Sequence, residues 1–496
     1  MSRQVYLGVD LGAESGRVMA GLWDGKKIAL REVHRFANRP VSIAGSLRWN
    51  IPSLWNDIQD GLAAAAREHR GIRSVGVDTW GVDYVLLSKS GELLGLPFHY
   101  RDERTKGMLR AATRVASKSE IFAASGIQFM EINTLFQLLA AQTRTPELLA
   151  SARHFLLIPD FLNWCLCGSC VSEFTNATTT QMLHPVTRAW SRGLLEKLGL
   201  PHHFLPEIVP PGARLPRLRS SVAERAGMAR VPVVAPATHD TGSAVAAVPA
   251  IGKEDLNWAY ISSGTWSLMG VEVDEAVLSR EVLSSNLTNE GGVDRTYRLL
   301  KNIAGLWLLQ QCRKGFANRG QEFAYPELVK LAGKAASLRS LIDPDAARFR
   351  NPPDMVEAIR GFCRETNQPV PDTPGAFTRC ILESLALKYK CVLAFLEQAT
   401  QKRIGVIHIV GGGSRNELLN QFTTNACRRP VLAGPVEATV LGNILMQARA
   451  SREIGSLREL REAVRASFPA RRFESEPSEA GRWAEASDKF EKICGK

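Results

Sequence analysis

A chain of 496 residues with 45% hydrophobic and 23% charged content is long enough for two cores with a cleft between them, which makes a two-lobed enzyme the expectation. No apolar run reaches the roughly 18 residues of a membrane span: the nearest, 231–252, is broken by His239 and Asp240. A strand is expected from the first residues in place of a signal peptide, so a cytoplasmic chain without membrane partner is expected.

The formal net charge of +12 comes from dispersed basic residues without an aromatic-interleaved stripe, and no nucleic-acid partner is expected. Nine cysteines, odd in number and scattered, argue against a disulfide scaffold. Cys165, Cys167 and Cys170 include a C-x-x-C spacing but lack the second half of a zinc site. Cys363 and Cys380 could pair if oxidised.

Residues 4–23, QVYLGVDLGAESGRVMAGLW, predict two apolar strands joined by a turn of small and hydroxyl residues. Gly8, Gly12 and Gly16 would let backbone N–H groups approach an anion, with Ser15 adding a hydroxyl donor and Arg17 a fixed charge. Asp10 would meet a nucleotide phosphate only through a divalent cation, because two anions repel. An ordinary glycine hairpin is the alternative for this segment alone.

Asp24-Gly25 marks a tight turn into a third strand at about 28–36. Ile51-Pro52-Ser53 opens a helix in which Leu54, Trp55, Ile58, Leu62, Ala65 and Ala66 recur at helical spacing. A buried strand, 74–77, runs into Asp78-Thr79-Trp80-Gly81-Val82-Asp83, polar residues at a strand end of the kind that line sites. Strand 231–235 leads to Thr238-His239-Asp240-Thr241 and a helix of small residues from Gly242. A helix N-terminus there suits an anionic transition state, and Asp240 could accept a hydroxyl proton beside it. An Asp or Thr helix cap is the alternative.

The second half repeats the order. Strands at 258–262 and 266–273 flank Ser263-Gly264-Thr265, and 296–301 supplies a third. Helices at 305–314 and 377–398 precede strand 406–410, which enters Gly411-Gly412-Gly413-Ser414-Arg415-Asn416. The glycines suit a base or ribose lying on the backbone, with Asn416 bonded to it; a plain helix-entry loop is the alternative. Both halves read βββαβα, with a joint near Gly252–Leu256. The expected fold is α/β, two duplicated lobes at 1–252 and 253–496 around a central cleft, with Ser262–Ser267 answering Gly8–Arg17 from the second lobe. No G-x-x-x-x-G-K-[ST], completed G-x-G-x-x-G or protein-kinase His-Arg-Asp motif occurs.

Taken in order, several segments closely resemble the rhamnulokinase branch of the FGGY carbohydrate kinases. They are DLGAESGR at 10–17, VDTWGVDYVLL at 77–87, HYRDERT at 99–105, SGIQF at 125–129, TNATTTQ at 175–181 and THDTGSA at 238–244. YISSGTWSLMG at 260–270, NLTNEGG at 286–292, RLLKNIAGLWLLQ at 298–310, HIVGGGSRNELLNQ at 408–421 and GPVEATVLGN at 434–443 continue the match.

The resemblance implies the actin and hexokinase (ribonuclease H-like) type of fold and ATP-dependent phosphorylation of L-rhamnulose at O1, with Mg²⁺. It implies ATP contacts at Ala13, Glu14, Ser15, Gly16, Arg17, Thr265, Gln310 and Gly412. Sugar contacts are implied at Gly81, His239, Asp240, Thr241 and Asn302, with Asp240 the proton acceptor and Asp10 the magnesium-side carboxylate. On this reading 1–252 carries the sugar and the base, placed at the far end of the lobe from Asp10, and 253–496 the nucleotide. Trp80 would cover a deoxy methyl group. Glu14 departs from the family pattern, where a small hydroxyl residue is usual; its charge beside phosphates is unfavourable unless it points outward or toward the metal. The implied partners are a sugar and ATP, for a monomer or homodimer. L-fuculose or another ketose or polyol is the alternative substrate, and a non-catalytic actin-like ATP switch the alternative function.

Overall fold

Gln4–Leu11, Ser15–Trp23 and Ile28–Ala37 form an antiparallel meander in which Asp10 lies opposite Arg17. The computed structural model describes residues 3–252 and 257–495, so most of the expected joint at 252–256 lies outside the described residues. Helix Ile51–Glu68 starts where Asn50 accepts the Ser53 N–H and Pro52 occupies the first turn, a position where a missing N–H costs nothing. It buries Leu54, Ile58, Leu62 and Ala65, while Trp55 is only half-buried. The chain then returns as Ile72–Thr79, parallel to Gln4–Leu11, with Asp78 opposite Asp10.

Pro232–Ala235 adds a further parallel strand, and Ala213–Arg217 closes the sheet antiparallel. That edge strand has no sequence signal of its own, because its Pro216 and arginines are what exposed edges carry instead of apolar alternation. Between Thr79 and the edge strand the chain is mainly helical and has its own apolar cluster, including Phe136, Phe155 and Leu157; the Tyr84 ring lies 5.0 Å from Phe155.

The second sheet, of seven strands among the described residues, starts from an additional edge strand, Thr288–Gly291, and then repeats the order of the first: Tyr297–Ala304, Trp266–Val273, Trp258–Ser263, Val406–Val410, Val431–Ala433 and Arg471–Phe473. Trp258–Ser263 is antiparallel to Trp266–Val273 and parallel to Val406–Val410, and the edge strand is again antiparallel. Each copy of the duplication therefore has two more strands beyond its fourth. Helix Pro374–Thr400, capped by Thr373 with Pro374 in its first turn, precedes Val406–Val410 as Ile51–Glu68 precedes Ile72–Thr79. Cys363 and Cys380 are free thiols in hydrogen-bond contact on Met355–Glu365 and Pro374–Thr400. Among the described residues no helix is long and apolar enough to cross a membrane.

Two compact units result. One takes the described residues of Met1–Pro249, Glu272–Leu299 and Ala438–Phe468; the other takes those of Ala250–Val271, Leu300–Glu437 and Pro469–Lys496. In the first unit, helix Ala438–Ala450 lies on a groove of strand glycines. A Cβ on Gly21 would stand 2.5 Å from Ile444 Cγ2, and one on Gly76 would stand 2.6 Å from Asn443 Oδ1. Gly8 faces the same helix, 3.1 Å from Ile444, and a Cβ on Gly16 would fall 2.2 Å from the Phe36 ring. Packing thus gives Gly8 and Gly16 a reason of their own to lack a side chain, and Gly12 is the open glycine of the turn.

Candidate active site

The loop Thr238–Thr241 is held as an extension of the first sheet. The Thr79 N–H donates to the Thr238 carbonyl at 2.9 Å, and Thr79 bridges His239 in parallel register. Asp240 therefore stands at the same strand ends as Asp10 and Asp78, not at the far end of the lobe as expected from the sequence. It opens helix Asp240–Ala246, with His239 as the residue preceding it. Its Oδ1 accepts the Thr241 N–H at 2.5 Å and the Thr241 hydroxyl at 3.1 Å. Burial pushes the Asp240 carboxyl above its ordinary range; His239 opposes that shift and the charge of Asp10 adds to it.

Asp10 Oδ2 is ion-paired with Arg17 Nη2 at 2.5 Å. The register that places Arg17 opposite Asp10 thus commits the charge expected for a phosphate to a carboxylate. Asp78, fully buried, accepts from Asn443 Nδ2 at 2.6 Å on Oδ2 and has a side-chain hydrogen bond with Asp10. Burial first, and then Asp10, raises its pKa well above the usual carboxylate range. The turn at 12–15 is closed by the Gly12 N–H donating to the Ser15 carbonyl at 2.9 Å and is braced by Asn38, whose Nδ2 donates to the Gly12 carbonyl at 2.9 Å. Ala13 and Ser15 are half-buried and Glu14 is exposed.

Glu173, fully buried, supports the loop from within. It accepts the Thr238 N–H at 2.8 Å, the Thr238 hydroxyl at 2.9 Å and the Thr175 N–H at 2.8 Å. Thr175 Oγ1 in turn accepts the His239 N–H at 3.2 Å. Glu173→Gln turns an amide NH₂ toward donors and leaves at least one of them unpaired. We expect it to cost about 2 kcal/mol of stability and to lower kcat, read from the urea midpoint and turnover of the same preparation; an unchanged midpoint would refute the bracing role.

Gly81 lies against Thr179, where a Cβ would come 2.8 Å from Oγ1, and the following Val82 takes φ 66°. Trp80, expected as a cover over substrate, is buried: its ring is 4.0 Å from that of Trp49 and its Nε1 donates to Asp83 at 3.0 Å. Asp83 also accepts from Trp49 Nε1 at 2.6 Å and Gln137 Nε2 at 2.8 Å. Burial outweighs these donors and raises the Asp83 pKa to about 6. A carboxyl with a raised folded pKa holds its proton more tightly in the native state, so stability falls as pH rises between its unfolded value of about 3.9 and that folded value. Urea midpoints from pH 4 to 7 should fall less steeply in Asp83→Asn than in the parent chain; identical slopes would contradict the shift.

In the second unit, the Ser263–Thr265 turn docks on the start of helix Trp307–Ala317. The Leu306 N–H donates to the Gly264 carbonyl at 3.0 Å and the Trp307 N–H to the Thr265 carbonyl at 3.1 Å. Gln310 Nε2 reaches Thr265 Oγ1 at 3.4 Å, which brings two of the expected nucleotide contacts together. Gly413 is packed on Ser263, with a Cβ falling 2.0 Å from Oγ, whereas nothing lies within 4 Å of a Cβ on Gly412. Asn416 caps helix Glu417–Cys427 by accepting the Leu419 N–H at 3.0 Å on Oδ1, the helix-entry role given as the alternative for this loop. Asn302 is half-buried on Tyr297–Ala304. Glu173, Asn443 and Asn38 are the supports that sequence reasoning missed; the run of buried Thr and Asn at 175–180 was the available signal.

The N-terminal domain model of the FGGY family of carbohydrate kinases matches residues 5–247, and its C-terminal domain model matches 259–451. A rhamnulokinase from Bacteroides thetaiotaomicron is 44% identical over 481 residues, 97% of each chain. A rhamnulokinase from Pectobacterium atrosepticum is 43% identical over 97% of this chain and 96% of its own. A xylulose kinase from Lactobacillus acidophilus has the same fold at a TM-score of 0.81 and 16% identity, over 99% of this chain and 97% of its own. With both sheets built in one strand order and both halves matched in sequence, the chain belongs to the FGGY family of carbohydrate kinases.

Proposed function

We propose that this chain transfers the γ-phosphoryl group of ATP to O1 of L-rhamnulose, giving L-rhamnulose 1-phosphate and ADP. The observation that carries the chemistry is the Asp240 carboxylate: the hydrogen bonds it accepts fall on Oδ1, which leaves Oδ2 to the substrate. The sugar assignment is supported by the near full-length likeness to proteins named rhamnulokinase. In the reaction the O1–P bond forms as the bond from Pγ to the bridging oxygen of ADP breaks, and the hydroxyl proton passes to Asp240. Phosphoryl transfer asks chiefly for positioning and charge neutralisation, so a carboxylate of low basicity suffices, the proton moving late.

On this reading Gly81, His239, Asp240, Thr241 and Asn302 hold the sugar. Ala13, Glu14, Ser15, Gly16, Arg17, Thr265, Gln310 and Gly412 hold ATP, Gly412 by its open backbone and Gly16 by its N–H alone. Residues 1–252 supply the base and, apart from Asn302, the sugar contacts, and 253–496 supply the nucleotide contacts other than those of 13–17. The protein works in the cytoplasm on small molecules, as a monomer or homodimer.

Magnesium suits the donor set. Asp10 and Asp78 lie opposite one another, close enough that Asp10 raises the Asp78 pKa by its charge and by a side-chain hydrogen bond, two carboxyls that a cation between them would relieve. Magnesium keeps water and phosphate oxygens among its ligands and takes one or two carboxylates. Asp10 would hold it, with Asp78 beside it, and the bound ion would offset the negative charge on the phosphate oxygens.

An ADP-release assay over L-rhamnulose, L-fuculose, other ketoses and polyols, with ³¹P NMR of the product, tests the reading. We expect the highest kcat/KM with L-rhamnulose, and activity lost in EDTA and restored by Mg²⁺. A higher value with another sugar would replace the substrate. ATP hydrolysis without a phosphorylated sugar would replace the function by that of an ATP switch.

A further inference from the structure

Behind His239 lies a buried charged pair that the reaction described above does not use. Arg298, on Tyr297–Ala304, is fully buried, and its Nε donates to the Gly291 carbonyl at 2.8 Å. Its Nη2 stands 3.1 Å from His239 Nδ1 and 3.3 Å from Glu290 Oε2. Glu290 Oε2 is itself 3.3 Å from the same His239 Nδ1. On the other side of the ring, His239 Nε2 faces Asp240 Oδ1 at 3.4 Å.

The two neighbours of Nδ1 make opposite demands. A guanidinium only donates and does not lose its proton in proteins, so it requires a lone pair on Nδ1. A carboxylate only accepts and requires a proton there. Arg298 is the nearer of the two, and its charge partly neutralises Glu290. An imidazole with its lone pair on Nδ1 carries its proton on Nε2.

We propose that Arg298 and Glu290 are positioning residues that fix His239 as the Nε2–H tautomer, so that it presents a donor to Asp240 Oδ1 and to a sugar oxygen. The inference rests on Asp240 as proton acceptor. With Thr241 donating twice to Oδ1 and His239 Nε2 3.4 Å from the same oxygen, Oδ2 is the oxygen from which no donor must be displaced when the substrate hydroxyl arrives. A purely structural ion pair would hold the Gly291 strand without dictating which ring nitrogen bears the proton.

The test is a two-bond ¹H–¹⁵N spectrum of the full-length chain with ¹⁵N-labelled histidine, His239 being assigned by loss of its signals in His239→Gln. The parent chain should give the neutral Nε2–H pattern. Arg298→Met should move the proton to Nδ1, toward Glu290, and lower kcat about tenfold or more with KM for ATP unchanged, as wrong-tautomer variants of catalytic histidines do. Arg298→Lys, which again only donates, should restore the tautomer and most of kcat. Should Arg298→Met leave Glu290 uncompensated and not fold, Arg298→Met/Glu290→Leu removes both charges; both tautomers should then appear, with kcat lowered. An Nδ1–H or imidazolium pattern in the parent chain overturns the proposal, as does a folded variant that keeps both the Nε2–H pattern and the parent kcat. These readouts are independent of the base assignment, which Asp240→Asn tests separately.

Discussion

Asp240→Asn lowers kcat by about 10²- to 10⁴-fold, the range for losing a general base, while nucleotide affinity stays close to that of the parent chain. The asymmetry of the carboxylate is the reason. Thr241 donates twice to Oδ1, and an asparagine carbonyl at that position keeps both bonds. What is lost is Oδ2, replaced by an NH₂ that cannot accept the O1 proton. Folding does not suffer, because burial and the charge of Asp10 already disfavour an ionised Asp240. A group whose folded pKa is raised costs stability above that pKa, so removing its charge leaves the thermal midpoint at pH 7 unchanged or higher. Turnover of sugar by coupled ADP release, ATP binding by calorimetry and the thermal midpoint on one preparation separate these effects. Near-parent turnover would remove Asp240 from the role of base.

Gly442→Ala destabilises the chain by about 3 kcal/mol, the upper range for overpacking, and lowers kcat with it. A Cβ at Gly442 would stand 1.8 Å from the Ser243 carbonyl oxygen and 2.5 Å from its carbon. Both are backbone atoms of helix Asp240–Ala246, so no rotamer change relieves the clash and the two helices must separate. Separation would draw Asn443 away from Asp78 and Gln447 away from the Leu7 carbonyl, which it bonds at 2.9 Å. It would also shift the helix that Asp240 begins. Gly412→Ala is the contrasting case: a Cβ there meets nothing within 4 Å, so its urea midpoint should match the parent within about 0.5 kcal/mol. A Gly442→Ala midpoint equal to that of Gly412→Ala would contradict the close approach.

Much of the fold was legible because it is written locally. Alternating and continuous apolar runs set the strands, Ile51-Pro52-Ser53 set the first helix start, and Asp240 stands at a strand-to-helix junction whichever residues surround it. The edge strand Ala213–Arg217 was not legible, since a strand paired on one side needs no continuous apolar face. The use of each glycine was not legible either. Gly8, Gly16 and Gly412 look alike in a sequence, yet a helix covers the first, a phenyl ring covers the second and the third is open.

The sequence by itself determined the duplicated strand order, the turns at 12–16 and 263–265 and the acidic residue at the start of the helix of small residues, because hydrophobic periodicity and capping act over a few residues. Tertiary structure decided what stands behind those residues. Asn443 meets Asp78 across 365 positions, Glu173 meets Thr238 across 65 and Arg298 meets His239 across 59. The cost of burying a charge or an unpaired donor is settled by whichever partner the fold delivers. A partner that far along the chain leaves no mark on the local pattern.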